Sequence, residues 1–213
     1  MRRRLLLCAT LVATLSSQFI TYPHLAHAEG LADQPVGLQT ASVELPQSPF
    51  AHQQATHWCW AASVANAFRS SGHAVSQERI VREVYGDVVN MRSGPNSNVA
   101  GLLDREWVDD AGGTFRARLI GLFDPAAGRD TFDSRAVVAA LRSGRPLVLG
   151  TTSHAMLLIA ATYRECDGVT TIVEATVFDP WPGVGVRTLR SDEITPLNRH
   201  GSLAFIANFV VTH

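Results

Sequence analysis

Three residues of this chain could together form and break a thioester: Cys59, His154 and Asp179. An imidazole beside a thiol keeps the sulfur ionised near neutral pH, and the thiolate is the nucleophilic form of cysteine. A carboxylate that accepts the second ring N–H of the histidine fixes its tautomer and stabilises its charge. These residue types therefore predict acyl chemistry in which Cys59 attacks, His154 carries the proton and Asp179 orients His154.

Cys59 is predicted to begin a buried helix that ends at about Ser70, with Gly72 as the helix stop. Apolar residues recur at the spacing of one helical face: Trp60, Val64, Ala67 and Phe68. A helix N-terminus carries partial positive charge and unpaired N–H groups, so it favours the thiolate form of a cysteine placed there. The alternative for Cys59 is a buried structural thiol, because cysteine is among the residues most often found in cores.

His154 and Asp179 are predicted to lie at the ends of neighbouring strands. His154 opens a strand after the polar run Thr151-Thr152-Ser153, and Asp179 ends the next long strand. Asp167-Gly168 is a strong signal for a hairpin turn between these strands. Because the start of one antiparallel strand lies beside the end of its partner, we expect the hairpin to bring His154 and Asp179 together. The alternatives are a core histidine and a turn-initiating Asp-Pro.

The motifs around these residues resemble those of the papain-like cysteine proteases. They are Gln53 six residues before a helix-opening Cys, Trp58-Cys59-Trp60-Ala61-Ala62, Ser153-His154-Ala155, and Asp179-Pro180-Trp181-Pro182-Gly183. The wording around the cysteine is most similar to the bacterial branch, which includes the plant-pathogen avirulence proteases and the bacteriocin-leader peptidases. Two details depart from the family pattern, since papain itself has Asn at the third position and Gly is commoner than Ser before the histidine.

The resemblance implies a role for each candidate residue. Cys59 is the implied nucleophile, His154 the implied base, and Asp179 the residue that orients His154. Gln53 is the implied side-chain half of an oxyanion hole, with the backbone N–H of Cys59 as the other half. Gln54 is the alternative, which the spacing to the cysteine favours less. Outside this context, a glutamine in a loop is a solvated surface residue.

Two tryptophans are candidates for the substrate groove. Trp181 is expected to shield the hydrogen bond between His154 and Asp179 from water, as a Trp at that offset does in papain relatives, or simply to pack in the turn. Trp58 is expected to wall the groove or to pack beside the nucleophile. Trp60 is predicted to lie in the core.

Helical patterns come first in the chain and strand patterns later, which predicts an α+β fold rather than alternating β and α units. After the Cys59 helix, helices are expected from Ser76 to Tyr85, from Asn96 to Gly112-Gly113, and from Asp133 or Ser134 to Leu141. Strands are expected over residues 114–120, 146–151, 154–163, 169–178, 184–189 and 203–211. The resemblance implies the papain-like version of this class, an N-terminal helical lobe whose nucleophile helix packs on a C-terminal antiparallel sheet.

Residues 1–28 are predicted to be a secretory signal peptide with a basic start, an apolar run over Leu5–Leu15 and cleavage after Ala28. The mature protein is therefore expected to be secreted or periplasmic. The apolar run is too short to span a membrane, so no stable membrane association is expected. Residues 29–44 are predicted to form an extended lead-in, with a short strand near its end, or a short pro-segment. Residues 45–213 are predicted to form one papain-like domain.

Composition excludes several other kinds of chemistry. The chain contains no Lys, which excludes Schiff-base catalysis and a phosphate-binding P-loop. Its 18 basic and 19 acidic residues form no basic patch for nucleic acid. No Cys or His spacing suits a metal, so neither a metal nor another cofactor is expected, and the remaining histidines are predicted to lie on the surface: His52, His57, His73, His200 and His213. Asp109-Asp110 and Asp192-Glu193 are predicted to be solvated helix faces or helix caps. The expected partner is a protein or peptide substrate.

Two other functions fit the same residues. One is different acyl chemistry by the same triad, namely peptidoglycan-peptide hydrolysis, transamidation or deamidation. The other is a non-catalytic secreted binding module in which Cys59 and Cys166 form a disulfide. Assays on cell wall and on protein separate the first from a protease, and a count of free thiols separates the second from an enzyme.

Overall fold

The computed structural model describes residues 37–44 and 50–213, and in them helices pack on an antiparallel sheet, an α+β arrangement. The predicted signal peptide, residues 1–28, lies outside the described residues. Within the described ranges, no helix has both the length and the apolar character needed to cross a membrane.

Five α-helices are present in the described part of the chain. Their bounds are α1 Cys59–Ser70, α2 Gln77–Tyr85, α3 Asn96–Leu102, α4 Ser134–Arg142 and α5 Ser191–Ile194. Two of these helices are followed by a glycine in the left-handed region, Gly86 after α2 and Gly144 after α4. Asp133 caps α4, because its side chain accepts a hydrogen bond from the backbone N–H of Ala136.

Eight strands of the described residues join in one sheet. Their bounds are β1 Gln39–Ser42, β2 Arg105–Val108, β3 Thr114–Phe123, β4 Leu147–Thr151, β5 Ala155–Cys166, β6 Val169–Asp179, β7 Gly185–Thr188 and β8 Leu203–Thr212. The order is β2-β3-β8-β4-β5-β6-β7, and β1 pairs with the second half of β5. β1 lies within the predicted lead-in, so at least these four residues of the lead-in belong to the sheet.

Helix α1 has the predicted bounds, and it packs against β4 and β5. Every residue from Trp60 to Phe68 is buried. The predicted single apolar face is therefore too narrow, because the helix is covered on all sides. Its many alanines make this possible, since a helix that is apolar all round is a buried helix and small side chains let the sheet approach closely.

Strands β5 and β6 form the predicted hairpin. Asp167 and Gly168 at its turn both have positive φ, which two-residue hairpin turns of this kind require. The pairing of Leu157 with Phe178 brings the segment before β5 beside the end of β6. The hairpin thus determines which side chains meet at the start of β5.

One predicted helix is shorter than expected. The pattern from Asn96 to Gly112-Gly113 was expected to be helical throughout, but α3 ends at Leu102 and residues 105–108 form β2. Trp107 pairs with Phe115 of β3, and its ring N–H donates to the Leu102 carbonyl over 2.9 Å. Trp107, which suits a helix face by its spacing, packs on the core from a strand instead, because pairing with β3 satisfies the backbone there.

Candidate active site

The side chains of His154 and Asp179 are hydrogen-bonded where the β5–β6 hairpin begins and ends. His154 Nε2 lies 2.6 Å from Asp179 Oδ1. Asp179 is the last residue of β6 and is buried, whereas His154 precedes β5 and is partly exposed. Thr151 holds the approach to β5, because its hydroxyl accepts the backbone N–H of His154 over 3.2 Å.

Cys59 is the first residue of α1, and its free thiol is hydrogen-bonded to the His154 ring. Because Nε2 of His154 faces Asp179, Nδ1 is the nitrogen left to face the sulfur. The backbone N–H groups of Ala155 and Trp60 also point at the sulfur. The structure therefore brings the three predicted residues into one hydrogen-bonded series, with β5 and α1 supplying backbone donors for a thiolate.

The surroundings favour the charged forms of Cys59 and His154. Burial, the largest influence, disfavours charge on either group. Hydrogen bonds to His154 and to the Ala155 N–H outweigh burial and lower the pKa of Cys59 below its ordinary value of 9.0. Hydrogen bonds to Asp179 and Cys59 likewise raise the pKa of His154 from 6.5 to about 9. A thiolate–imidazolium pair is the form that this geometry supports near neutral pH.

Asp179 stays ionised although burial works against it. Hydrogen bonds from His154, from the Trp181 backbone N–H and from Arg187 lower the pKa of Asp179 from 3.8 to about 2. The Trp181 N–H donates to Oδ1 over 2.9 Å, and Arg187 Nε donates to Oδ2 over 2.9 Å. A carboxylate that is ionised at neutral pH thus faces the ring of His154.

Arg187 and Glu193 were not among the predicted site residues. Arg187 lies on β7, and besides Asp179 it binds both carboxylate oxygens of Glu193 at 2.9 and 2.8 Å. Glu193 is only 5% exposed, so it is not on a solvated face; it has the other predicted role, a helix cap, because its Oε2 accepts the Arg190 backbone N–H at the start of α5 over 2.9 Å. Arg187 and Glu193 form a second layer of the site, behind Asp179. The sequence signal for this layer is a positive residue on the strand next to Asp179.

Gln53 is buried in the loop before Cys59, with 6% of its surface exposed, and it is not among the residues that line the cleft. Its Nε2 donates to the carbonyls of Ala55 and Thr56, both over 2.9 Å, and its Oε1 has no partner among the described residues. The Gln53 backbone N–H donates to the Pro180 carbonyl over 2.7 Å, which ties this loop to the turn after Asp179. The oxyanion role of Gln53 stays a prediction, because an oxyanion would compete with the loop carbonyls for its N–H groups.

Two buried amides hold the loop before Cys59 in place. Asn66 of α1 accepts the Ala51 N–H over 2.8 Å and donates to the Ala51 carbonyl over 2.9 Å. Gln77 of α2 accepts the Gln54 N–H over 3.0 Å and donates to the His52 carbonyl over 2.8 Å. Gln54, the alternative oxyanion residue, is exposed. The loop is therefore fixed from two helices at once.

Trp58 and Trp181 have different surroundings. Trp58 is 5% exposed, and its ring N–H donates to the Val89 carbonyl over 2.8 Å. It packs beside the nucleophile and does not line the cleft, which differs from the expected groove wall. Trp181 is 45% exposed, lines the cleft, and lies edge-on to His154 with ring centroids 6.4 Å apart. Trp181 is thus in position to limit the access of water to His154.

A cleft of about 330 Å³ opens at the sulfur of Cys59. Its lining comes from helix and sheet alike, with Cys59 and Trp60 from α1, Gly150 from β4 and Phe205 from β8. A Cβ at Gly150 would lie 3.3 Å from the Cβ of Phe205, so any larger residue there would push Phe205 by a few tenths of an ångström. The cleft therefore lies at the seam between helices and sheet.

The disulfide between Cys59 and Cys166 is not formed in this structure. Cys166 ends β5, whereas Cys59 contacts Ala155 at its start. A strand of this length separates its ends by on the order of 30 Å. Within residues 37–44 and 50–213, no group of three or more His, Cys, Asp or Glu side chains is arranged to hold a metal ion.

His73 is buried, so its predicted surface position is wrong. Its Nδ1 lies 2.9 Å from Asp109 Oδ2, and its ring stacks on Phe115 with centroids 4.1 Å apart. The side chain of Asp109 is likewise mostly covered, and it also accepts the Gly113 N–H over 2.7 Å. This pair shapes the turn between β2 and β3 and lies outside the residues that line the cleft.

No protein-family model matches this chain, and no curated protein matches it.

Proposed function

We propose that this chain is a papain-like cysteine peptidase that uses Cys59, His154 and Asp179. The observation that carries the proposal is the continuous hydrogen-bonded series from Asp179 through His154 to Cys59 at the wall of an open cleft. The α+β arrangement, with the cysteine at the start of a buried helix and the histidine at the start of a sheet strand, supports the papain-like version of the fold.

In the proposed reaction, the Cys59 thiolate attacks the carbonyl carbon of a peptide bond and forms a carbon–sulfur bond. The carbonyl oxygen becomes an oxyanion next to the Cys59 backbone N–H, and Gln53 is the proposed second donor. The His154 imidazolium then gives its proton to the leaving nitrogen as the carbon–nitrogen bond breaks. The product of this half is a thioester on Cys59 and a free amine.

Water completes the proposed cycle. Neutral His154 takes a proton from a water molecule, whose oxygen attacks the thioester carbon. The carbon–sulfur bond breaks, the acyl group leaves as a carboxylic acid, and the thiolate–imidazolium pair is restored. Asp179, fixed by Arg187, keeps one ring nitrogen of His154 occupied throughout, so the other nitrogen remains directed at the sulfur.

The proposal includes export of the mature protein, because residues 1–28 have the composition of a signal peptide. An exported acyl-transfer enzyme meets both proteins and cell-wall peptides, and the three reacting groups are the same for both substrates. The substrate assay is therefore run on both.

The test combines labelling with turnover. We expect an epoxysuccinyl probe to modify Cys59 and a casein-type substrate to be cleaved, with both signals lost in Cys59→Ala and His154→Ala. Cys166→Ala is the matched control and should behave as wild type. Zymography on cell-wall material separates peptidoglycan-peptide hydrolysis from proteolysis. Cleavage by Cys59→Ala at the wild-type rate would overturn the mechanism.

A further inference from the structure

Part of one wall of the cleft comes from residues 88–94, a segment held in place by residues that flank Cys59 in the sequence. We refer to this segment as the strap. Four hydrogen bonds pin it at successive residues: Trp58 Nε1 to the Val89 carbonyl over 2.8 Å, the His57 N–H to Asn90 Oδ1 over 2.9 Å, Trp60 Nε1 to the Met91 carbonyl over 3.1 Å, and Tyr85 Oη–H to the Arg92 carbonyl. The residues that bracket Cys59 thus also fix the strap.

The strap brings Arg92 to the cleft, together with Ser93 and Gly94. Among the described residues that line the cleft, Arg92 alone carries a permanent charge, and none is Asp or Glu. Cys59 and His154 cancel each other when they form a thiolate–imidazolium pair. Summed over the described residues that line the cleft, the charge is then the positive charge of Arg92, because Asp179 is not among them and is hydrogen-bonded to His154 and Arg187.

The charge of Arg92 is not neutralised by any residue that the structure describes. In the described part of the chain, no carboxylate lies within ion-pair distance of its guanidinium, and the side chain is exposed. A larger pocket of about 590 Å³ elsewhere shows the contrast. Its arginines face protein carboxylates, with Arg105 at 2.7 Å from Glu83 and Arg116 at 3.7 Å from Glu106.

We infer that the cleft takes substrates with a carboxylate that binds Arg92, either an acidic side chain or the free C-terminus of a peptide. The inference rests on the proposed function, because it names the substrate class of the same site. A guanidinium offers a planar pair of N–H donors that matches a carboxylate, and the pinned backbone reduces the entropy lost when the pair forms. The Arg92 backbone, not its guanidinium, makes the bond to Tyr85, so the side chain is available for a ligand.

The first experiment compares two alkylating reagents of nearly the same size. Iodoacetate carries a carboxylate and iodoacetamide does not, so the ratio of their rates at Cys59 reports the field in the cleft. We expect the rate with iodoacetate divided by the rate with iodoacetamide to fall several-fold in Arg92→Gln. The matched control is Arg164→Gln, because Arg164 is exposed on β5 and lies outside the cleft lining, and its ratio should stay at the wild-type value. An equal ratio in wild type and Arg92→Gln would overturn the inference.

The second experiment identifies the source of the carboxylate. Cleavage products of a mixed peptide library are mapped, and each preferred sequence is compared with its Asn or Gln analogue and with its C-terminal amide. For wild type, we expect one of these substrate changes to lower kcat/KM by about tenfold, as for the loss of a charge-assisted pair. For Arg92→Gln, the same substrate change should leave kcat/KM unaltered. Arg92→Glu should invert the preference towards Lys or Arg. Equal cleavage of acidic and amide peptides by wild type would contradict the inference.

Failure of the proposed function gives a different result. If Cys59 is not an activated nucleophile, iodoacetamide modifies it no faster than a cysteine in a short unstructured peptide, and no library peptide is cleaved. If only the inference about Arg92 fails, iodoacetamide reacts rapidly and peptides are cleaved without preference for a carboxylate.

Discussion

Arg187 Nε donates a hydrogen bond to Asp179 Oδ2 over 2.9 Å, on the carboxylate oxygen that does not face His154. The same guanidinium binds Glu193 with its other nitrogens. The orientation of Asp179, and through it that of His154, thus depends on two buried carboxylates and a half-buried guanidinium rather than on the hairpin alone.

Replacing Arg187 should destabilise the protein and impair the site. Arg187→Met leaves the buried carboxylates of Asp179 and Glu193 without their cation, and breaking such a buried pair costs about 3 kcal/mol or more. We expect a lower urea midpoint with an unchanged slope, and a thiol of Cys59 that is less reactive at neutral pH. The double variant Arg187→Met with Glu193→Gln removes one orphaned charge and should regain part of the loss. Equal stability of wild type and Arg187→Met would show that the cluster contributes nothing.

Alkylation of Cys59 and turnover should both depend on pH, alkylation through the thiol and turnover also through His154. Because hydrogen bonds to His154 and Ala155 outweigh burial and lower the thiol pKa, alkylation by iodoacetamide should be rapid well below pH 9.0. Turnover should fall again as His154 loses its proton near pH 9, which gives a bell-shaped profile.

The control for this profile is His154→Ala. Without the imidazole, the thiol loses its main stabilising partner, so its pKa should rise and alkylation at neutral pH should slow. A profile in His154→Ala that coincides with wild type would mean that the two residues do not form an ion pair.

Acid should remove the stabilisation that Asp179 provides. Its folded pKa of about 2 lies below the ordinary value of 3.8, because hydrogen bonds outweigh burial. A depressed carboxylate pKa stabilises the folded state above the unfolded value, so this contribution is present above pH 3.8 and is lost as the pH falls through 2. It amounts to about 2 kcal/mol. Urea unfolding of wild type and Asp179→Asn should converge as the pH falls through this window, and curves that stay parallel would refute the linkage.

Gln53 can be tested for its two possible roles separately. Gln53→Glu keeps the shape of the side chain but removes the N–H donors to Ala55, to Thr56 and to an oxyanion. If Gln53 stabilises the oxyanion, turnover should fall by ~10²–10³. Alkylation of Cys59 by iodoacetamide forms no oxyanion, so a role confined to catalysis should slow it far less. A parallel loss of both rates would instead assign Gln53 to holding the loop.

Local patterns were sufficient for the elements that carry the triad. The bounds of α1 follow from its apolar spacing and its glycine stop, and the β5–β6 hairpin follows from Asp167-Gly168. Both depend on interactions between residues close in sequence, which a single chain displays directly. The adjacency of His154 and Asp179 followed from the hairpin by geometry alone.

The second layer of the site could not be predicted in the same way. Arg187 and Glu193 are ordinary surface residue types, and their burial depends on how β7 and α5 return to the end of β6. The strap likewise depends on ring N–H groups of Trp58 and Trp60 reaching carbonyls some thirty residues away. The end of α3 at Leu102 depends on strand pairing that overrides local helical spacing. All three are tertiary effects.

The turn of the β5–β6 hairpin is a suitable attachment point for labels and surfaces. This turn at Asp167-Gly168 is exposed, and the triad lies at the opposite end of the same two strands. A fluorophore or affinity tag grafted into this turn would be joined to His154 by the same strand, yet kept away from the cleft. The protein could be immobilised through that turn with its cleft facing the solution, which suits surface-based binding measurements.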